Sequence, residues 1–303
     1  QQLNPSLIGA CSLRTPSTRG LPPVLSGPAQ RAFEELKQQA QAMSGCPWEF
    51  PLVALRGPAG SGRKYLAEAL AGALGTRLLV VNLAGMPGSA TSEQITAVLR
   101  EARLQRAMLC LVGLDELAKP DRRTAEVAMK QLLTDYPGAV SLSLPGDSTI
   151  PELGRRVEDL RLGRAEPKAA QVLWDRFLPA AARAPELETS QLGERFGLTP
   201  GEIQTVAEIA REQAAREGRR VDRDVLVAAV RTRVQHRLGE VATRVQPRYL
   251  MKDLIVDDIA RLQLRELIGR YRHRGRVLRD WNLESRFGTQ LGVSALFDGP
   301  PGT

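Results

Sequence analysis

Two hydrophobic patterns alternate between residues 28 and 165. Short uninterrupted apolar runs are typical of strands that are buried on both faces of a parallel sheet. Between these runs, apolar residues such as Leu66, Leu70 and Leu74 recur at helical spacing. The predicted strands are 52–56, 77–81, 108–114, 139–144 and 158–162, and the predicted helices are 28–43, 62–74, 92–105 and 122–133. This alternation favours an α/β fold with a mostly parallel sheet.

After about residue 165 the strand pattern stops and helical periodicity continues. Thr199 is placed to cap a helix, with Glu202 reaching back to it and Pro200 in the first helical position. Asp222 is placed to cap the next helix. The predicted helices are 168–177, 187–196, 200–216 and 222–238. They predict a small helical subdomain.

The pattern divides the chain into five segments. They are an irregular, proline-rich lead-in (1–27), an α/β core (28–165), the helical subdomain (166–239), a linker containing Pro247 (240–255) and a last segment that starts with a helix (256–303).

Length and composition describe an ordinary globular protein. The chain has 303 residues, 43% of them hydrophobic and 25% charged, and its mean hydropathy is −0.22. This length favours two domains over one. Because no apolar run is long enough to span a membrane and no secretory leader is seen, we expect a cytoplasmic protein. The chain starts at Gln1 and stops inside a motif, so we expect it to be part of a longer protein.

The cysteines do not indicate a metal or disulfide framework. Cys11, Cys46 and Cys110 are odd in number and share no metal-ligand spacing, and there are only two histidines. Cys110 stands inside an apolar run and is predicted to be a small buried hydrophobic residue.

The net charge of +8 and the pI near 9.8 invite a nucleic-acid interpretation. However, aromatic residues make up only 4% of the chain, and arginines are spread over nearly every helix. The densest basic run covers residues 270–276. We interpret it as a solvated or inter-subunit face rather than as a nucleic-acid patch.

A glycine-rich turn follows the strand predicted at 52–56. It reads Gly57, Pro58, Ala59, Gly60, Ser61, Gly62, Arg63 and Lys64. In a phosphate-binding loop (P-loop) of pattern G-x-x-x-x-G-K-S/T, backbone N–H groups cradle phosphates, the lysine reaches the β/γ oxygens, and the hydroxyl binds Mg²⁺. Here Arg63 takes the lysine position and Lys64 takes the hydroxyl position. The loop therefore keeps its glycines but lacks its metal ligand, which predicts little or no hydrolysis.

Two acids end the strand predicted at 108–114. In a P-loop ATPase, the residue at the position of Asp115 holds Mg²⁺ and the residue at the position of Glu116 polarises the attacking water. Adjacent acids are also common at helix starts. Their occurrence together with the glycine loop favours the nucleotide interpretation.

Arg155 and Arg156 follow the fourth predicted strand. One of them would suit a finger that stabilises the γ-phosphate of a neighbouring subunit. A basic surface loop is an equally good interpretation.

Residues 192–216 also fit a helix-turn-helix that reads DNA. A recognition helix should begin with Arg, Asn or Gln, whereas this one begins with Pro200, Gly201 and Glu202. We therefore prefer a helical lid.

A second glycine-rich turn stands near the end of the chain. It reads Gly299, Pro300, Pro301, Gly302 and Thr303. A strand-like apolar run, 293–298, precedes it, and the two turns lie 299 − 57 = 242 positions apart. This spacing predicts a tandem duplication of a whole module.

These motifs together resemble tandem AAA+ ATPases over about residues 28–303. The segments 100–105, 245–249, 271–274 and 295–303 further resemble the AAA+ ATPases encoded with extracellular contractile injection systems, which are phage-tail-like particles.

The resemblance implies a P-loop αβα sandwich with a parallel sheet, a small helical lid, and the start of a second AAA+ module from residue 256. It implies hexameric rings with ATP or ADP at the subunit boundary and Mg²⁺ mainly at the second site. The positions it implies for the first site are residues 57–64 for the phosphates, Asp115 for Mg²⁺, and Glu116 and one arginine of Arg155 and Arg156 for catalysis. Ser143 is the nearest candidate for the first, polar sensor, with Leu144 as the alternative at that position, and Gln204 stands about where the family often has a second sensor arginine. Residues 299–303 would begin the second phosphate loop.

We therefore expect a ring-forming subunit that couples ATP binding and hydrolysis to protein remodelling or assembly, with a structural first site and a catalytic second site. The expected partners are further copies of the chain and a protein substrate or injection-system component, not nucleic acid or a membrane. The alternatives are a DNA-associated protein that uses residues 192–216 and the arginine-rich helix, and a ring scaffold that does not hydrolyse nucleotide.

Overall fold

The structure is a computed structural model. It describes residues 9–16, 23–25, 27–44, 46, 49–83, 92–113, 130, 133–134, 136–146, 148, 155–238, 251–280 and 295–298. The chain forms two compact units, Gln1–His236 and Arg237–Thr303. Each unit is described by itself.

The first unit contains the alternating strands and helices that the sequence predicts. Its strands are β1 (Cys11–Arg14), β2 (Leu52–Arg56), β3 (Arg77–Asn82), β4 (Ala107–Val112), β5 (Val140–Leu144) and β6 (Val157–Arg161). Its helices are α1 (Gly27–Ala42), α2 (Arg63–Ala73), α3 (Ser92–Leu104), α4 (Pro167–Phe177), α5 (Thr189–Arg195), α6 (Pro200–Arg216) and α7 (Arg223–Leu238). Most of the helix predicted at 122–133 lies outside the described residues.

The strands form a mostly parallel sheet in the order β1-β3-β4-β5-β2-β6. Strands β3, β4, β5, β2 and β6 are parallel to their neighbours, and β1 pairs antiparallel with β3. The prediction of an irregular lead-in was therefore wrong for Cys11–Arg14. Four residues are too few for a periodic pattern, and β1 is stabilised by its pairing with β3, in which Cys11 faces Val81.

Both faces of the sheet are covered, because strands β2, β3 and β4 send alternate side chains into two separate hydrophobic clusters. In β4, Leu109 and Leu111 pack in the cluster that contains α3. Met108 and Cys110 pack in the cluster that contains α1 and α2. Cys110 is fully buried, as predicted. The arrangement fits the predicted P-loop α/β sandwich.

A third hydrophobic cluster holds helices α4 to α7 together around the fully buried Trp174. This helical subdomain is called the lid below. The predicted capping box of α6 is present: the N–H of Glu202 donates to Thr199 Oγ1, and the Thr199 N–H donates to Glu202 Oε2 over 2.9 Å. The predicted cap of α7 is also present, because Val225 N–H donates to Asp222 Oδ1 over 2.9 Å.

The described part of the second unit is dominated by one helix, α8 (Asp258–Asp280), which carries the arginine-rich run. The linker residues 240–250 lie outside the described residues. The strand predicted before the second glycine turn is not formed at 295–298. Leu296 and Phe297 are 93% and 74% exposed there, and no described strand pairs with them. Among the helices of the described ranges, none is long and apolar enough to cross a membrane.

Candidate functional site

The glycine-rich turn predicted from the sequence connects the end of β2 to the start of α2. Gly60 and Gly62 have φ angles of +80° and +92°, a region that residues with a Cβ rarely adopt. Gly62 is the N-cap of α2 and offers no side chain to its first N–H groups. Such N–H groups lack intrahelical acceptors and form an anion-binding end of the helix.

Close packing also requires glycine in this loop. A Cβ on Gly57 would lie 2.6 Å from the carbonyl oxygen of Leu162, and one on Gly60 would lie 2.6 Å from Thr199 Oγ1. Ser61 is 2% exposed, and its Oγ has no hydrogen-bond partner among the described residues. The loop is therefore a tight backbone cradle around a buried hydroxyl that no described residue pairs with.

The lid contacts this loop directly. The N–H of Gly201 donates to the carbonyl of Gly60 over 2.8 Å, and the hydroxyl of Thr199 donates to the carbonyl of Ala59 over 3.3 Å. The first turn of α6 thus packs on the loop. In a helix-turn-helix, these first residues of α6 would have to contact DNA, but here they contact the loop of their own chain. This packing argues against the helix-turn-helix interpretation.

A cavity of about 640 Å³ lies between the loop, the lid and the residues before α1. One part of its lining is apolar and includes Pro23, Val24, Leu25, Leu173 and Phe177. Another part consists of the loop residues from Ala59 onward. A cavity of this size suits a nucleotide-sized ligand.

Four cationic residues from three elements line the cavity. They are Arg63 and Lys64 at the start of α2, Arg14 on β1, and Arg176 on α4. The described lining residues include no Asp or Glu. Outside the lining, Glu68 accepts a hydrogen bond of 3.2 Å from Arg14 Nη1 and offsets part of that charge.

Three of these cations also affect the pKa of a cysteine in the core of the sheet. Burial raises the pKa of the Cys110 thiol. Its hydrogen bond with Ser141 and the charges of Lys64, Arg14 and Arg63 act in the opposite direction on this pKa. Three of the four cavity cations therefore act on the same buried thiol.

The two predicted sensor residues are brought to the same cavity. Strand β5 lies between β2 and β4, and its Ser143 is 3% exposed and lines the cavity. The neighbouring Leu144 packs in the core instead. Gln204 also lines the cavity, and its Nε2 donates to Glu208 Oε1 over 2.9 Å.

The acid pair Asp115 and Glu116 lies outside the described residues, as do the second-turn residues 299–303. The last residue of β4, Val112, does line the cavity. Asp115 and Glu116 stay predictions.

The two candidate finger arginines are held differently. Arg155 is partly buried, and its guanidinium donates to three backbone carbonyls over 3.2 to 3.4 Å. The acceptors are Leu133, Tyr136 and Gly138. The side chain of Arg156 is 74% exposed and pairs with Glu158 over 2.6 Å. The guanidinium of Arg155 is thus held by backbone carbonyls, whereas the side chain of Arg156 is mostly exposed, and the finger role of either residue stays a prediction.

Sequence reasoning missed Arg14, Arg176 and Arg56. Arg56 ends β2 directly before the loop, and its Nε donates to both carboxylate oxygens of Asp159 over 2.9 and 3.0 Å. This side chain is nearly buried and also donates to the carbonyl of Ser148. An arginine at the end of an apolar strand, with an acid on a later strand, was a signal that could have indicated this pair.

A glycine loop that joins a parallel strand to a helix, beneath a helical lid, fits the P-loop class of α/β nucleotide-binding folds. Residues 53–142 match the model of AAA, the ATPase family associated with various cellular activities. The matched segment runs from β2 into β5 and includes the loop. The match indicates a nucleotide-dependent function and, in general, ATP hydrolysis. A search of curated proteins gives no match for this chain.

The residues present fit a nucleotide better than they fit its usual metal ion. The cradle, the helix N-terminus and the cations suit phosphates, and the apolar lining suits a base. An ammonium group at Lys64 cannot replace the hydroxyl ligand of Mg²⁺, because it has donors and no acceptor.

Proposed function

We propose that the first unit binds an adenine nucleotide at residues 57–64, within a ring-forming AAA+ ATPase subunit. The observation that carries the proposal is the glycine loop opening on a cavity that is cationic near the loop and apolar opposite it. The match of residues 53–142 to the AAA model supports it.

In this proposal the chain's own groups position the nucleotide. The N–H groups at the start of α2 and the charges of Arg63 and Lys64 hold the phosphates, while Val24, Leu25 and Phe177 exclude water around the base. Ser143 and Gln204 lie at the same cavity as polar contacts for the phosphates. We propose that this site is structural, since Lys64 removes the metal ligand on which hydrolysis depends.

The remaining parts of the proposal rest on the sequence resemblance. Hydrolysis would occur at the second glycine turn, 299–303, with Arg156 as the exposed candidate for a finger toward a neighbouring copy. The ring would remodel or assemble proteins, and the narrower resemblance points to components of a contractile injection system.

Binding of a fluorescent ATP analogue to the 303-residue chain tests the first site. Lys64→Gln should weaken binding by about tenfold or more, because a charge-assisted hydrogen bond contributes about 1.5 to 3 kcal/mol. Lys37→Gln is the matched control: it removes the same charge from a half-exposed site on α1 that does not line the cavity. If the chain does not bind the analogue, or if both variants behave alike, the proposed site is wrong.

Phosphate release by the same chain tests the structural role. We expect no turnover above background with Mg²⁺ present. Clear Mg²⁺-dependent turnover that Glu116→Gln abolishes would show instead that the first site hydrolyses ATP.

A further inference from the structure

We propose that the cavity prefers a nucleoside triphosphate without Mg²⁺ to its magnesium complex. This inference rests on the proposed function and names the charge state of the ligand at that site.

The first argument is the charge of the lining. Arg14, Arg63, Lys64 and Arg176 line the cavity, and no acid does so among the described residues. Arg14 shares its charge with Glu68. The guanidinium and ammonium groups of this lining are complementary to a fully ionised triphosphate. Mg²⁺ would cancel part of the ligand's charge and lower this complementarity.

The second argument is the position of Lys64. In the usual loop pattern this position carries the hydroxyl that binds the metal ion. A phosphate-bound Mg²⁺ there would face the ammonium of Lys64 and the adjacent guanidinium of Arg63, and like charges at close range repel each other. The cations of the chain thus take over the neutralisation that Mg²⁺ supplies in the usual pattern.

The third argument is that the cations come from separate elements. Arg14 is contributed by the antiparallel strand β1, Arg176 by the lid helix α4, and Arg63 and Lys64 by α2. Their convergence on one cavity is a tertiary feature that local sequence does not require. Arg14, Arg63 and Lys64 also act in the same direction on one buried group, since each lowers the pKa of the Cys110 thiol against the larger effect of burial.

The fourth argument is the apolar part of the lining, which distinguishes a nucleotide from free polyphosphate. Val24, Leu25 and Phe177 form a surface on which a base can be buried. Inorganic tripolyphosphate should therefore compete with ATP, but more weakly than ATP itself.

The experiment measures the Kd of a fluorescent ATP analogue for the 303-residue chain in EDTA and in excess MgCl₂, at equal ionic strength. We expect about tenfold tighter binding in EDTA, which corresponds to about 1.4 kcal/mol. Equal or tighter binding in MgCl₂ overturns this inference and leaves the proposed nucleotide site standing. If nothing binds in either buffer, both proposals are wrong.

Variants of single residues test which cations produce the preference for the nucleotide without Mg²⁺. Each variant is compared with the parent only if its melting temperature is unchanged. Arg176→Gln should weaken binding in EDTA, whereas Arg216→Gln, which removes the same charge from an exposed position of the lid, should not. The double change Arg63→Lys with Lys64→Thr restores the usual loop pattern and should make MgCl₂ favour binding. If Arg176→Gln and Arg216→Gln have equal effects, or if the double change leaves the EDTA preference intact, the inference is overturned.

Discussion

Gly60 and Gly201 meet backbone to backbone where the loop contacts the lid. The Gly201 N–H donates to the Gly60 carbonyl over 2.8 Å. A Cβ on Gly201 would lie 3.0 Å from both Cα and O of Gly60, atoms that cannot rotate away. At this contact, two residues without side chains allow the lid to touch the loop.

Gly201→Ala should therefore separate the lid from the loop. We expect the free energy of unfolding to fall by about 1 to 2 kcal/mol, since overpacking outweighs the better helix propensity of Ala. Urea unfolding measures this, and ATP binding should weaken in parallel. Gly163→Ala is the control, because a Cβ there meets nothing within 4 Å. Equal stability of both variants would show that the contact is loose.

Three weakly acidic groups, of which Tyr136 and Cys110 are buried and Cys11 is half-buried, predict a loss of stability at alkaline pH. Burial raises the pKa of Tyr136 from 10.0 to about 12 and that of Cys11 from 9.0 to about 11, and it raises the pKa of Cys110. The unfolded chain releases these protons at lower pH than the folded chain. Their stabilising contribution is therefore complete below about pH 9 and is lost as pH rises toward 12.

Tyr136→Phe tests the phenol's share of this effect. At pH 8 it should cost about 1 kcal/mol, because the hydroxyl donates to the carbonyl of Ala107. Between pH 10 and 12, however, the variant should lose less stability than the parent. Urea unfolding at several pH values measures both slopes, and identical slopes would contradict the raised pKa.

At the scale of elements, the start of α6 combines a helix cap with a contact to the loop. Thr199 accepts from the Glu202 N–H as a cap and donates to the Ala59 carbonyl as a contact. Asp222 caps the next helix, α7, by accepting from Val225, but it does not line the cavity. Of these two capping residues, Thr199 contacts the loop of the candidate site and Asp222 does not line that site.

Thr199→Ala and Asp222→Ala form a matched pair. Each should lower the free energy of unfolding by about 1 kcal/mol through loss of a cap. Only Thr199→Ala should also weaken ATP binding, because it releases the loop from the lid. Unfolding curves and binding isotherms on the same samples decide this, and equal effects on binding would exclude a specific role for Thr199.

At the scale of the whole molecule, the two units differ in how much they bury. The inner strands of the first unit, β2 to β5, are almost fully buried; Leu109 and Leu111 in β4, for example, are completely inaccessible. In α8 no described residue is buried, and Ile259, Leu262 and Tyr271 are 71%, 58% and 72% exposed. The described part of α8 thus has no core of its own to stabilise it.

Amide hydrogen exchange should therefore be much faster in α8 than in β4, since protection follows buried contacts. Mass spectrometry of peptides from Asp258–Asp280 and Ala107–Val112 measures the difference. Slow exchange in α8 at high protein concentration, with fast exchange on dilution, would show that another copy of the chain covers it.

Much of the fold was predictable because its signals are local. The buried strands β2 to β5 are short, mostly apolar runs, and the helices between them show their own periodicity. The caps Thr199 and Asp222 also need only neighbouring residues. The same holds for the glycine loop, because the departure of Arg63 and Lys64 from the usual loop pattern is visible in the sequence alone.

Other features depend on residues that are distant in the chain. The four-residue strand β1 depends on its pairing with the edge of β3. Likewise, the position of β5 between β2 and β4 is a property of the sheet and not of the local sequence. Arg14 and Arg176 lie 162 positions apart in the chain (176 − 14), and both line the cavity. The sequence by itself determined the α/β class and the altered phosphate loop, because hydrophobic periodicity and glycine spacing are local properties. Tertiary structure alone decided which cations surround that loop and that the lid contacts it, because both depend on packing between distant segments.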